Sequence, residues 1–394
     1  MEEISTVVLV IGAGPAGLAT SACLNERGIN NIVLEREDCC ASLWKKRAYD
    51  RLKLHLAKEF CQLPHLPFPP RTRTFVKRNN FIGYLDNYAK TFRVNPSYYR
   101  IVRSASFDSK RKKWIVRAQN TDNGSKEIYS ARFLVVATGE NSEGIVPKIP
   151  GVDSFPGVSM HSSHYQNGRD FANKKVLVVG SGNSGMEIAY DLSDSGATTS
   201  ITVRKPVHVL SKEMVFIGMK LLKHLPVNLV DKAVVRLSKL RHGNLAKYGL
   251  ERPKLGPFLM KFLTGRSPVI DVGTIKKIKK GDIKVVRAGI KEIDGFSVKF
   301  TNGVREDFDA IVFATGYKST VGRWLKDDSR LFNEDGMPGK KKPNHWKGED
   351  GLYCAGFGRL GLFGISNDAM IIASNINSIL RNERTDAPSK GKLN

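Results

Sequence analysis

The stretch VVLVIGAGPAGLATSACLNERGINNIVLE, residues 7–35, decides how the rest of the chain is read. Val7, Val8, Leu9, Val10 and Ile11 form an unbroken apolar run, the pattern of a strand buried on both faces. The run ends in Gly12-Ala13-Gly14-Pro15-Ala16-Gly17, and Leu18, Ala19, Ala22, Cys23 and Leu24 continue as a helix. A second short strand, 31–34, stops at an acid, Glu35, which lies 18 residues past Gly17. Each part of this βαβ unit has a physical task in holding a dinucleotide. Gly12 permits the tight turn, Gly14 lacks the Cβ that would hold the backbone off a pyrophosphate, and Gly17 lets the helix lie close to the strand. The helix N-terminus offers unpaired N–H groups and the positive end of its dipole to the phosphates. A carboxylate at Glu35 accepts bonds from both hydroxyls of an adenosine ribose.

A lone GxGxxG is a common turn, but strand, helix and acid falling together favour a nucleotide site over a turn between core elements. The acid favours FAD or NAD, whose ribose is free, over NADP. The same theme then recurs. Lys175–Val179 runs into Gly180-Ser181-Gly182-Asn183-Ser184-Gly185, a helix carries Met186, Ile188, Ala189 and Leu192, and a strand over 199–203 ends at Arg204. Arg204 lies 19 residues beyond Gly185, nearly the offset of Glu35 from Gly17. An acid at this place repels a ribose 2′-phosphate, whereas an arginine fork binds one, with Lys205 as reinforcement. The second copy is therefore read as an NADPH loop and the first as an FAD loop.

With 394 residues the chain has ample length for a large core, and its 41% apolar and 26% charged content is that of an ordinary globular protein. Glu2 and Glu3 lead straight into a strand, so no signal peptide is expected, and no apolar run reaches the length of a membrane span. The five cysteines, Cys23, Cys39, Cys40, Cys61 and Cys354, contain no CxxC, which fits a reducing, cytoplasmic setting. A net charge of +25 admits a nucleic-acid or anionic-membrane partner. Much of the excess, however, is scattered through apolar residues over 204–280 with no nucleic-acid motif. A solvated basic face near anionic cofactors is the favoured reading, with peripheral membrane contact left open.

Between the two loops, Trp44 follows the ribose acid closely, where a flavin ring lies. Residues 80–92 have helical spacing, and 100–136 read as a β-meander with Asp122-Asn123-Gly124 as a turn. The last of these strands ends in Ala137-Thr138-Gly139, placing Thr138 and Gly139 against the first cofactor. Pro147, Pro150 and Pro156 mark a linker. Beyond Arg204 the stretch 212–268 is basic, amphipathic and helical. Strands follow at 283–287 and 297–301 with Asn302-Gly303 as a hairpin turn. AIVFATGY, 310–317, repeats the Ala-Thr-Gly ending and is expected to return the chain to the first domain, and 351–373 is glycine-rich and then helical. The fold class expected is α/β, two Rossmann-like dinucleotide-binding domains with the NADPH domain inserted into the FAD domain. The boundaries expected are 1–155 and 309–394 for FAD and 156–308 for NADPH.

No redox cysteine pair supports a disulfide reductase. His161 and His164 lack the further ligands a metal site needs, so no metal is expected. Oxygen is a reasonable acceptor for the flavin's electrons. Here the resemblance becomes specific. Phe155, Gly157, His161 and Tyr165 match FxGxxxHxxxY, the fingerprint of class B flavin-containing monooxygenases, between the two glycine loops. Within that family the chain resembles the plant YUCCA monooxygenases in ASLWKKRAYDRLKLHLAKEFCQLP, GSGNSGMEIAYDL, RPKLGPF, PVIDVGTIKKIKKGDIKV, FDAIVFATGYKS and HWKGEDGLYCAGF. Ala57 departs from the family by replacing a proline, and the stretch after Met214 is short.

The resemblance implies that indole-3-pyruvate, NADPH and O2 become indole-3-acetate, carbon dioxide and water through a C4a-peroxyflavin, in auxin synthesis. The alternative is N- or S-oxygenation of a small nucleophile. The resemblance also places His55 where related enzymes often carry a flavin-proximal asparagine, as a group steering the peroxide. His161 is read as a hinge residue as readily as a chemical one.

Overall fold

The computed structural model describes residues 2–326, 331–340 and 343–385. The described residues divide into two compact units, one within Met1–Lys46, Lys58–Glu143 and Tyr317–Asn394, the other within Arg47–Ala57 and Gly144–Gly316.

The first unit opens with β1 (Glu3–Ile11), α1 (Pro15–Asn25) and β2 (Asn31–Leu34). Val8, Leu9 and Val10 are fully buried, as a strand covered on both faces requires. The short helix α2 (Ser42–Lys46) and the longer α3 (Arg78–Thr91) follow. Phe81, Leu85 and Tyr88 form the buried stripe of α3, at the helical spacing legible in the sequence. Next come β3 (Arg100–Asp108), β4 (Lys113–Asn120) and β5 (Lys126–Val136), paired as the expected antiparallel meander. Gly124 takes φ +75° in the turn. β5 changes partners along its length. Its early residues bond to β4, while its stretch from Ile128 to Val136 lies parallel to β1. That switch joins the meander to the nucleotide-binding strands in one sheet ordered β2-β1-β5-β4-β3.

A two-residue strand, β6 (Glu143–Gly144), begins the crossing into the second unit. There β7 (Val158–His161), β8 (Lys175–Val179), α4 (Asn183–Asp194) and β9 (Thr198–Thr202) repeat the opening pattern. Short strands β10 (Val209–Leu210) and β11 (Val269–Ile270) pair in parallel around three helices, α5 (Lys212–Leu221), α6 (Val227–His242) and α7 (Pro257–Thr264). After α8 (Thr274–Lys280) come β12 (Ile283–Val286), β13 (Ile290–Asp294), β14 (Ser297–Phe300) and β15 (Arg305–Asp307). Asn302-Gly303 makes the predicted hairpin turn between β14 and β15, with Gly303 at φ +87°.

Strand β16 (Ala310–Phe313) departs from expectation. It does not return the chain to the first unit. It is buried throughout and lies between β7 and β8, completing a parallel sheet ordered β12-β9-β8-β16-β7. The return comes after Gly316, through β17 (Tyr317–Lys318), β18 (Leu352–Cys354) and the long α9 (Gly361–Thr385), which packs on α1. β18 lies parallel to β5, beyond the residues that β4 occupies.

The boundaries also differ from 155/156 and 308/309. Phe155 is buried in the core of the second unit with Val298, Phe300 and Phe308, so the outward crossing has already happened at Glu143–Gly144. Residues 47–57, which the sequence places in the first domain, belong to the second. Tyr49 and Leu52 pack into its core, and their neighbour Arg51 lies 3.3 Å from Asp191 on α4.

Candidate functional site

The first loop is built so that only glycine fits where sterics matter. Gly12 has φ +106°, and a Cβ there would strike the carbonyl of Ala137 at the end of β5. A Cβ on Gly17 would collide with the carbonyl oxygen of Gly12. Around Gly14 there is open space, so the backbone is accessible to a phosphate. Pro15 begins α1 with Gly14 as its cap, and no side chain caps the helix or puts an acid in its first turn. The first N–H groups of α1 therefore remain for an anion.

Glu35 is buried and its Oε2 accepts the Ala13 N–H at 2.7 Å, while Oε1 accepts the Glu37 N–H at 3.1 Å. Burial pushes its carboxyl above the usual carboxylate range, against the pull of those two donors. Its remaining lone pairs suit hydroxyl donors such as those of a ribose. Thr138 supplies an independent sign of a missing partner, since its buried Oγ1 has no hydrogen bond. Gly139 takes φ +78° with open space where a Cβ would be, so it is needed for the left-handed turn rather than for a close protein contact. Gly356, φ +84°, brings the return loop against Ala16, and its N–H donates to Asp368 of α9 at 2.9 Å. These features fit an adenine dinucleotide with a free ribose.

The second loop repeats the glycine contacts of the first. Gly180 has φ +114° and faces the Ala314 carbonyl as Gly12 faces that of Ala137, and Gly185 packs on the Gly180 carbonyl as Gly17 does on Gly12. Gly182, like Gly14, has open space. The difference lies at the end of the second strand. Glu35 folds back onto the Ala13 N–H, whereas in the second loop the strand's bond to the loop backbone runs from the Gly180 N–H to Thr202 Oγ1 at 3.1 Å, where the Gly12 N–H has the Leu34 carbonyl at 2.7 Å. Arg204 and Lys205 extend outward, exposed and with no hydrogen bond or ion pair to any described residue. A cleft of about 380 Å³ opens beside them, lined by Gly180, Ser181 and Gly182 on one side and Arg204, Lys205 and Arg266 on the other. Its unpaired cations fit a dinucleotide carrying a 2′-phosphate.

Arg266 and its neighbour Ser267 are the residues that sequence reasoning missed. Arg266 comes from the loop between α7 and β11, and its guanidinium donates to the Pro206 carbonyl at 3.1 Å, beside Arg204. Asn183, predicted to touch cofactor, lines the cleft and also places this segment. Its Oδ1 accepts the Ile270 N–H at 2.7 Å and its Nδ2 donates to the Pro268 carbonyl at 3.1 Å. Only this bracing could have been sought in the sequence, and no spacing rule points to it. Ser181 lines the cleft, whereas Ser184 and Gly185 lie behind it in the first turn of α4.

Trp44 sits on α2, half-buried, edge-on to Phe81 with ring centroids 4.7 Å apart. The turn before it is tied to the first loop, because the Ala41 N–H donates to the Ala13 carbonyl at 2.9 Å. His55 comes from the 47–57 segment. It lies with the second unit, its Nε2 3.3 Å from Oε2 of Glu187, a buried carboxylate on α4 that also accepts from Tyr49 at 3.0 Å. A carboxylate can only accept, so the Nε2 proton points to Glu187.

The FxGxxxHxxxY residues are held by contacts inside the second unit. A Cβ at Gly157 would meet the Asp309 carbonyl, and the Tyr165 hydroxyl donates to Asp191 at 2.7 Å. His161 is buried, with its Nε2–H donating to the Gly316 carbonyl at 3.0 Å and Nδ1 accepting the Ser163 N–H at 3.1 Å. Burial holds its pKa below the usual value, in keeping with a neutral ring protonated at Nε2. The Ile145 N–H also donates to that Gly316 carbonyl at 2.9 Å. His161 therefore fastens together the two strands by which the chain enters and leaves this unit.

This doubled arrangement has close counterparts. A relative described as probable indole-3-pyruvate monooxygenase YUCCA10 of Arabidopsis thaliana is 55% identical over 96% of this chain and 98% of its own. Indole-3-pyruvate monooxygenase YUCCA1 of Oryza sativa subsp. japonica is 49% identical over 93% of this chain and 90% of its own. Among solved structures, OTEMO in complex with FAD and NADP superposes with a TM-score of 0.76 at 16% identity, covering 97% of this chain and 86% of that one. A flavin-containing monooxygenase from Stenotrophomonas maltophilia gives 0.71 at 19% identity, covering 96% and 99%. At such identities these two establish the fold alone. The model of the flavin-binding monooxygenase-like proteins matches residues 5–329. The chain belongs to that flavin-binding monooxygenase-like family.

Proposed function

We infer that this protein is an FAD- and NADPH-dependent monooxygenase that converts indole-3-pyruvate to indole-3-acetate in the cytoplasm, as a step of auxin synthesis. The observation that carries the reading is the pair of nucleotide loops of opposite polarity in one chain, Glu35 closing the first and Arg204 opening the second. The substrate is supported by relatives bearing that name at 46–55% identity along nearly the whole chain.

The electron balance agrees with this chemistry. Full reduction of O2 takes four electrons. NADPH supplies two and cleavage of the bond between ketone carbon and carboxylate supplies two. One oxygen atom enters the product acid, the other leaves as water, and the carboxylate leaves as carbon dioxide. When bound, the flavin accepts hydride from NADPH and delivers those electrons to O2.

The protein's own residues have simpler tasks. Gly12, Ala13, Gly14, Pro15, Ala16 and Gly17 hold the FAD pyrophosphate on the N-terminus of α1, while Glu35 takes its ribose and Thr138 a further polar group. Trp44 walls the flavin from water. Gly180, Ser181 and Gly182 hold the NADPH pyrophosphate, and Arg204, Lys205 and Arg266 take its 2′-phosphate. His55, held through Nε2 by Glu187, is the side chain assigned to steering the oxygen chemistry.

Purified flavin-loaded protein mixed with NADPH and indole-3-pyruvate in air is expected to release one indole-3-acetate and one carbon dioxide per NADPH oxidised. Oxidation of NADPH with hydrogen peroxide as the only product would overturn the substrate assignment. Turnover of amines or thioethers in place of the keto acid would transfer the protein to the N- or S-oxygenating enzymes.

A further inference from the structure

Helix α6 is apolar on two sides. Val230 and Val234 are buried against Leu210, Met214 and Val215, and Ser238 and His242 continue that inward face. The opposite side carries Leu229, Ala233 and Leu240, with Leu237 beside them and Arg236, Lys232 and Lys239 along one edge. Leu240 is 84% exposed, and α7, which packs on α6, exposes Phe262 at 78% and Leu263 at 60%. A surface helix of a globular protein needs only one apolar stripe, and α6 presents a second to solvent.

The surrounding charge is almost wholly of one sign. Residues 212–266 contain twelve lysines and arginines against three acids. Those acids are engaged locally. Asp231 accepts the Phe258 and Leu259 N–H groups at 2.9 and 3.1 Å, Glu251 pairs with Arg287, and Glu213 is held by Ser211. Among the described residues Lys232, Arg236 and Lys239 make no ion pair with any acid.

We propose that the outer face of α6, with the end of α7, lies on the surface of an anionic lipid bilayer. The leucines and Phe262 enter the boundary of the acyl chains, and the lysines and arginines reach lipid phosphates with their alkyl stems lying over apolar surface. Exposed apolar side chains and cations interleaved on one helix match this occupant and no simpler one. A nucleic acid satisfies the cations but gains little from four exposed leucines. A second copy of the chain covers the leucines but sets like charges face to face. Among the described residues no helix is long and apolar enough to cross a membrane, so the contact lies in the plane of the interface and is reversible.

The test is co-sedimentation of flavin-loaded protein with phosphatidylcholine vesicles, with and without phosphatidylserine, at low and high salt. Binding is expected only with phosphatidylserine, weakening as salt rises. Leu240→Glu and Phe262→Glu, separately and together, are expected to lower partitioning at least about tenfold. Flavin content and NADPH-driven flavin reduction should stay unchanged, because neither residue lies at the nucleotide loops. Lys232→Glu with Lys239→Glu should abolish the dependence on phosphatidylserine. Absence of vesicle binding by the parent protein, or equal binding by the Leu240→Glu/Phe262→Glu variant, would overturn the proposal. So would a concentration-dependent dimer that Leu240→Glu dissolves without any lipid binding, which would give the face to a second copy. Loss of monooxygenase turnover leaves this test unaffected, since sedimentation reads binding alone.

Discussion

Replacing Arg204 by alanine reads out the polarity of the second loop directly. The side chain stands exposed just past β9, unpaired among the described residues, with Lys205 and Arg266 on the same cleft. A guanidinium fork on a phosphate makes charge-assisted hydrogen bonds worth about 1.5–3 kcal/mol each. Solvent at this open place screens the pair, and two other cations remain after the substitution, so a loss near the low end, about 2 kcal/mol, is expected. That corresponds to about a 30-fold fall in NADPH affinity. NADH lacks the phosphate, and the aliphatic part of Arg204 packs only lightly, with Cδ near Gly289, so NADH should lose about twofold at most. Arg266→Ala should cost NADPH less, about fivefold, because that guanidinium also serves the Pro206 carbonyl. Anaerobic stopped-flow reduction of the bound flavin across NADPH and NADH concentrations measures both affinities and needs no organic substrate. An equal loss for the two nucleotides, or an unchanged preference for NADPH, would refute the assignment of Arg204 to the 2′-phosphate.

Two further outcomes follow from the loops and the buried histidines. Gly17→Ala drives a Cβ into the Gly12 carbonyl and should strip flavin from the protein at a cost of about 1–3 kcal/mol, whereas Gly185→Ala should spare flavin and weaken NADPH. Flavin absorbance per protein and nucleotide titration separate the two, and loss of flavin from both variants alike would contradict separate sites. His161, His208 and His242 are each held below the ordinary histidine value of 6.5 by burial, so the unfolded chain binds their protons first as pH falls. The stability contributed by their neutral forms is complete above 6.5 and is lost as pH drops through their lowered values. Melting temperatures taken between about pH 7.5 and about pH 5.5 should fall, with a shallower slope in His161→Gln, and an identical slope in that variant would count against a buried neutral His161.

Much of this protein could be read from local pattern. The apolar run Val8–Val10, the glycine spacing and the helical stripe Phe81, Leu85 and Tyr88 each involve residues a few positions apart, and their periodicity survives in the sequence. The charge at Glu35 and at Arg204 was equally legible, because a βαβ unit sets the distance from its last glycine to the end of its second strand. Arg266 was invisible for the opposite reason. It reaches the cleft only because Asn183 pins the strand at Ile270 to the loop at Gly182, and no periodicity encodes a contact between segments so far apart.

Strand β16 and the 47–57 segment make the same point at the level of topology. AIVF at 310–313 is apolar enough for the middle of either sheet, and its pairing with β7 and β8 rather than with first-unit strands depends on where those edges lie in space. The segment from Arg47 to Ala57 reads as an ordinary continuation of the first unit until Tyr49, Arg51 and His55 meet the carboxylates of Glu187 and Asp191. Composition and short-range spacing thus specified two glycine loops and the opposite charge that follows each, since those depend on backbone sterics and one charge at a set offset. Which strand completes which sheet, which distant cation joins Arg204, and how His161 ties the entering and leaving strands were settled by long-range packing. Those contacts exist only once the chain has closed on itself.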